Sequence, residues 1–186
     1  MKTIKYTLFI IAIMLSYSCS DNPSGPDEID VSPSEGVLNV TGELQAQHEG
    51  VSQYVGLRSE GGDFINLTLH ITEFPIGSGE VNDFSFDIRM VGNEGPFSLE
   101  TGEYELGNSG EFTTISSYSN RIVSDDVVIY STTPNSNGTI TIVSIGSESI
   151  KATFDVTLHI RDTEESVNIT GELNAECLTA GAGFGC

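Results

Sequence analysis

From residue 37 onward the chain alternates apolar and polar side chains with a period of two. Phe154, Val156, Leu158 and Ile160 interleave with Asp155, Thr157, His159 and Arg161. Successive side chains of a strand point to opposite faces, so such a segment is a strand with one buried face. The same rhythm runs through Ile65, Leu67, Leu69 and Ile71, through Phe84, Phe86, Ile88 and Met90, and through Val167, Ile169, Gly171, Leu173 and Ala175. Leu38, Val40, Gly42, Leu44 and Ala46 read as one further strand. Shorter runs at 54–57, 102–106, 112–118, 127–132 and 138–145 bring the expectation to about ten strands. Clusters such as Glu60-Gly61-Gly62-Asp63, Gly92-Asn93-Glu94-Gly95-Pro96 and Asp162-Thr163-Glu164-Glu165 supply the turns between them. Downstream of the first 36 residues no segment keeps a helical period.

One-sided alternation with short connections belongs to antiparallel sheets. Each sheet must cover its apolar face with a second sheet or by curling on itself. The expected fold class is therefore all-β: an antiparallel β-sandwich or a calycin-like barrel. Two phrases recur. Leu38-Asn39-Val40-Thr41-Gly42-Glu43-Leu44-Gln45-Ala46 echoes Val167-Asn168-Ile169-Thr170-Gly171-Glu172-Leu173-Asn174-Ala175, and Leu67-Thr68-Leu69-His70-Ile71 echoes Val156-Thr157-Leu158-His159-Ile160. Their order is reversed between halves, which is not a tandem repeat. Either alternating strands draw on one vocabulary, or the echoes mark related places in the fold, with the first strand near the last.

The N-terminus reads differently. Lys2 and Lys5 precede an uninterrupted apolar run at 8–15, too short to span a bilayer as a helix, and then Ser16-Tyr17-Ser18-Cys19. This resembles the lipobox of bacterial lipoproteins, with Leu15 one position further from the cysteine than usual. The resemblance implies cleavage after residue 18 and lipidation of Cys19. Cleavage by an ordinary signal peptidase would leave Cys19 as a free thiol instead. Residues 19–36 are rich in Pro, Gly, Ser and acidic side chains and read as a tether. The expected organisation is a signal peptide at 1–18, a tether at 19–36, an all-β domain at 37–176 and a Gly-rich tail at 177–186.

The chain holds 3 cysteines. In an oxidising compartment Cys177 and Cys186 can pair, and a lipid accounts for the leftover Cys19. Charge narrows the partners. The chain carries 7 Lys+Arg and 27 Asp+Glu. With Lys2 and Lys5 in the leader, 5 basic residues remain downstream against 27 acidic ones, a formal charge of −22. That field repels nucleic acid and anionic headgroups, so nucleic-acid binding is excluded.

Candidate chemistry is sparse. The histidines are His48, His70 and His159; the last two sit on polar strand faces, where neighbouring strands would let them share a metal. Against that stands the reading of two exposed histidines on solvated faces, and no metal or other cofactor is expected. Asp125-Asp126 and the 162–165 run are acidic turns, either solvated or calcium-binding. Tyr118 and Tyr130 flank a stretch, 119–126, that reads as a loop bordering a pocket, or else the tyrosines are packing residues. No nucleophile elbow, zinc-protease motif or phosphate-binding loop occurs, so no catalytic residue is assigned.

Three phrases in the C-terminal half carry a family resemblance: Gly102-Glu103-Tyr104-Glu105-Leu106, Gly138-Thr139-Ile140-Thr141-Ile142, and the pair 150–158 and 167–173. They resemble small bacterial lipoproteins of unknown function with a calycin-like or sandwich β domain. Ala152 and Leu173 stand where that family usually has glycine and phenylalanine. The resemblance transfers no functional residue. The expected protein is a non-catalytic lipoprotein of the cell envelope or surface, anchored to the membrane, in all expectation the outer one, through the lipid on Cys19. It would serve as an interaction or ligand-binding module for an unidentified small molecule, glycan or protein. A lipocalin-like carrier of a small apolar ligand is the alternative, and a carboxylate-dependent hydrolase the third reading.

Overall fold

Strand-forming alternation becomes a closed wall in the computed structural model, which describes residues 34–122 and 126–178. Eleven strands form in chain order: β1 Glu35–Gly42, β2 Ala46–Arg58, β3 Phe64–Thr72, β4 Phe84–Gly92, β5 Gly102–Glu105, β6 Gly107–Asn108, β7 Phe112–Ile122, β8 Asp126–Ser131, β9 Asn137–Ile145, β10 Ser149–His159 and β11 Ser166–Cys177. Eight of them close an antiparallel barrel in the order β1-β2-β3-β4-β7-β8-β10-β11, with β11 returning to β1. The other three extend the wall: β9 lies on β10, β5 on β9, and β6 on β7. Of the two architectures the sequence allows, the fold is the barrel. Curling disposes of the edges that a flat sheet would expose.

The interior is filled by side chains. Leu38, Leu67, Ile71, Ile140, Val156, Leu158 and Ile169 are essentially without solvent contact. Phe86 on β4 meets Phe154 on β10 at a ring separation of 4.6 Å, spanning the barrel. Inward glycines make room for rings. A Cβ on Gly171 would stand 2.7 Å from the Phe154 ring and against the Val37 carbonyl, and one on Gly50 would stand 2.9 Å from the Phe84 ring. Small residues facing large ones are how a narrow barrel fills its taper.

Two expectations change in detail. β2 and β3 slip register between Leu57 and Arg58, where Leu57 opposes Asn66 and Arg58 opposes Phe64. Ile65 is the extra residue of this bulge, so it turns outward at 37% exposure while Phe64 takes the inward place. The expected strand 38–46 is two strands. β1 stops at Gly42, whose φ of +111° suits glycine alone, and the chain turns into β2 at Ala46. The longer echo does reflect position. β1 pairs with β11 so that Leu38 opposes Gly171 and Val40 opposes Ile169. The shorter echo falls on β3 and β10, which are not neighbours.

Candidate functional site

Outward residues of adjacent strands fall into rows, because antiparallel pairing puts partners on the same face. One row runs Gln53, His70, Asp87, Ser117, Ser131, His159 across six strands. Beside it lies a shorter row, Thr68, Arg89 and Ile115. The middle of the first row, His70 to Ser131, and the whole of the second line a surface groove of about 490 Å³, completed by Asn66, Ser116, Thr132 and by Arg161 in the connection after β10. The volume is that of a small-ligand site. His70 Nδ1 and Asp87 Oδ1 are 2.5 Å apart, both half-buried. Arg89 donates from Nε to Asn66 Oδ1 at 3.3 Å. Ser116 Oγ is turned inward and donates to the Asp87 carbonyl, and the Thr132 hydroxyl donates to the Ser116 carbonyl, which fixes the end of β8 beside β7.

A second polar cluster lies inside one end of the barrel. His48 stacks on Phe84 with centroids 4.1 Å apart, and its Nε2 is 2.8 Å from the Tyr118 hydroxyl. Asn120 Nδ2 donates to the same oxygen at 3.0 Å. Burial pushes the Tyr118 phenol up to about 12, against the opposing bond from Asn120. Burial also lowers His48 below the ordinary imidazole value, partly countered by the charge of Glu73. Tyr130 is raised by burial first and by the carboxylates of Glu165 and Glu43 second. A network of this kind fixes ring positions in the core.

The residues singled out in the sequence are distributed as follows. His70 and His159 share a row but are separated by β4, β7 and β8, so they do not meet; His159 Nδ1 lies 3.3 Å from the Ser136 hydroxyl instead. Among the described residues no group of three His, Cys, Asp or Glu side chains is placed to hold a metal ion. Tyr118 and Tyr130 are cross-strand partners inside the barrel, at 0% and 4% exposure, as packing residues are. The stretch expected as a loop between them is largely strand, since Ser119 to Ile122 pair with Ile129 to Asp126. In the 162–165 turn, the Thr163 hydroxyl donates to the Ile160 carbonyl and accepts from Glu165 N. Cys177 is disulfide-bonded, while Cys19 and Cys186 lie outside the described residues. The leader, the tether to residue 33 and Asp125 also lie outside them.

Arg89, Asp87 and Arg161 were legible only as members of polar strand faces. The signal available was their type: in a chain with so few cations downstream of the leader, Arg89 shares the polar face of its strand with Asp87, and Arg161 continues the polar set that holds His159. Compared with family models, with curated proteins and with solved structures, the chain finds no match in any of the three.

Proposed function

We propose that this chain is a non-catalytic, lipid-anchored module of the cell envelope whose binding face is the polar groove on β3, β4, β7 and β8. The observation that carries this reading is the contrast between a barrel interior occupied by side chains and an outer wall holding a groove with two of the chain's scarce arginines. A carrier of apolar ligands needs an open lumen, and Phe86 touching Phe154 across the barrel speaks against one. The leader and Cys19 support anchoring, and the expected location is the outer membrane. Kinship with the small lipoproteins gains from where their phrases fall: β5, β9, β10 and β11 form one contiguous sheet. The two departures, Ala152 and Leu173, face each other across β10 and β11 and are both fully buried. A methyl gained on one strand against a ring reduced on the other is a compensating exchange of volume.

Two measurements test the reading. A palmitate analogue fed to producing cells should label the chain and fail to label Cys19→Ala; an unlabelled wild type overturns the anchor. The chain contains no tryptophan, so Ile115→Trp places a single emission reporter at the groove edge. Envelope fractions should shift its emission, and a groove-filling Ser117→Phe added to that reporter should abolish the shift. Uptake of a fluorescent fatty acid with no emission change at residue 115 would overturn the groove in favour of the carrier.

A further inference from the structure

We propose that the groove takes a compact, hydroxyl-rich organic anion, of the size of a uronic-acid mono- or disaccharide, whose carboxylate is held by Arg89 and Arg161. This rests on the groove being the binding face and adds the chemical class of what enters it.

Three observations lead there. The first is charge left unused. The only ion pair among the described residues is His70–Asp87, so no carboxylate there neutralises Arg89 or Arg161. Arg58, by contrast, lies 3.8 Å over the Phe64 ring and donates to the Gly62 carbonyl. A guanidinium presents its donors in a planar fork that fits a carboxylate, and such charge-assisted bonds are about twice as strong as neutral ones.

The second is the lining. Thr68, Ser117, Ser131 and Asn66 offer hydroxyl and amide groups beside the His70–Asp87 pair, while Ile115 is the one large apolar side chain and no Phe, Tyr or Trp ring is present. A neutral sugar would lack the ring platform on which its apolar face packs, so affinity must come from charge, with hydroxyls setting orientation.

The third is the surrounding field, which limits size. At physiological ionic strength charges are screened beyond about 8 Å. A small anion seated between the two arginines is thereby shielded from most surface carboxylates. A polyanion leaving the groove would run over a surface of the opposite preference, in a chain of formal charge −20.

Titration calorimetry on the full chain in detergent tests this, with digalacturonate, its neutral methyl ester, inorganic phosphate and polygalacturonate as probes. Digalacturonate should bind, with the ester and phosphate each weaker by roughly tenfold or more, as loss of a charge-assisted bond or of the hydroxyl contacts requires. Arg89→Gln and Arg161→Gln should each weaken it by about tenfold, while Arg121→Gln, outside the groove, leaves it unchanged. Polygalacturonate should bind less tightly per disaccharide. All three variants alter exposed side chains, and matched melting temperatures establish that they fold. Silence from every acidic probe at millimolar concentration overturns the proposal, as does equal loss in Arg121→Gln. Phosphate binding as tightly as digalacturonate overturns the hydroxyl-rich class. Equal binding of the ester, lost in Arg89→Gln, overturns the anion while keeping the groove; loss of the groove itself is read from the emission at residue 115.

Discussion

The two copies of the longer phrase share the pattern of apolar, polar, glycine and glutamate, yet fold differently. In both, the first two apolar residues are buried: Leu38 and Val40 in β1, Val167 and Ile169 in β11. After the glycine they diverge. β11 runs straight on, and Leu173 and Ala175 are fully buried, whereas the first copy turns and leaves Leu44 and Ala46 only half-covered. The difference lies in the neighbours. β10 flanks β11 throughout, pairing Phe154 with Gly171 and Ile150 with Ala175. β1 loses its partner at Gly42, opposite Val167, where the β10–β11 connection begins. Glu43 N still reaches the Ser166 carbonyl at 3.2 Å, and the chain then reverses. Alternation thus fixes which face a residue takes, and the adjacent strand fixes how long that pattern lasts.

The contrast can be broken most severely at the buried half of the second copy. Leu173→Ala should cost about 3 kcal/mol in denaturant unfolding, whereas Leu44→Ala should cost under about 1 kcal/mol, because only the first leaves a cavity. Equal losses would mean that the two copies are packed alike. The glycines come next. Gly171→Ala drives a methyl into the Val37 carbonyl and the Phe154 ring and should cost about 3 kcal/mol. Gly42→Ala should cost about 2 kcal/mol, from its backbone conformation and from a Cβ 2.8 Å from the Ser166 carbonyl. Pairing Gly171→Ala with Phe154→Leu should recover part of the first loss and none of the second, as read from a double-mutant cycle.

The smallest effect is on pH. The first copy places His48 opposite Leu38, where the second places Leu158 opposite Val167. His48 is held below 6.5 in the fold by burial. The unfolded chain therefore takes up a proton first as pH falls. The stability contributed by neutral His48 is complete above 6.5, declines below it, and levels off under the folded value. Melting temperature should fall as pH drops from about 7 to 5, and His48→Phe should flatten that part of the profile. An unchanged slope in the variant would assign the acid sensitivity to carboxylates.

Much of the wall was legible from side-chain rhythm, because strands with one wet face leave a period-two record. The missed details came from events that rhythm does not encode. The Leu57–Arg58 slip exchanges Phe64 for Ile65 with no change of composition. The sequence from 119 to 126 is rich in polar side chains and resembles a loop, although Ser119 to Ile122 pair as strand with Asp126 to Ile129. Closure into a barrel was not legible, since a sandwich offers the same inner faces. The groove was out of reach for a different reason. Its residues come from β3, β4, β7, β8 and the segment after β10, and only register puts His70, Asp87 and Ser117 side by side.

One rung has a wider consequence. β8 meets β10 only where Ser131 opposes His159, so the ring is fastened at that place by a single stitch. Local breathing will start there, ahead of the densely laddered β10–β11 hairpin. Val127 and Ile129, already 50% and 56% exposed, flank the gap that opens. An unlatched ring would offer a sticky seam to a neighbouring molecule at high concentration. The mutual repulsion of so acidic a coat then acts as a guard against chain-to-chain zippering, and high salt, by muting that repulsion, is the condition under which clumping should begin at β8.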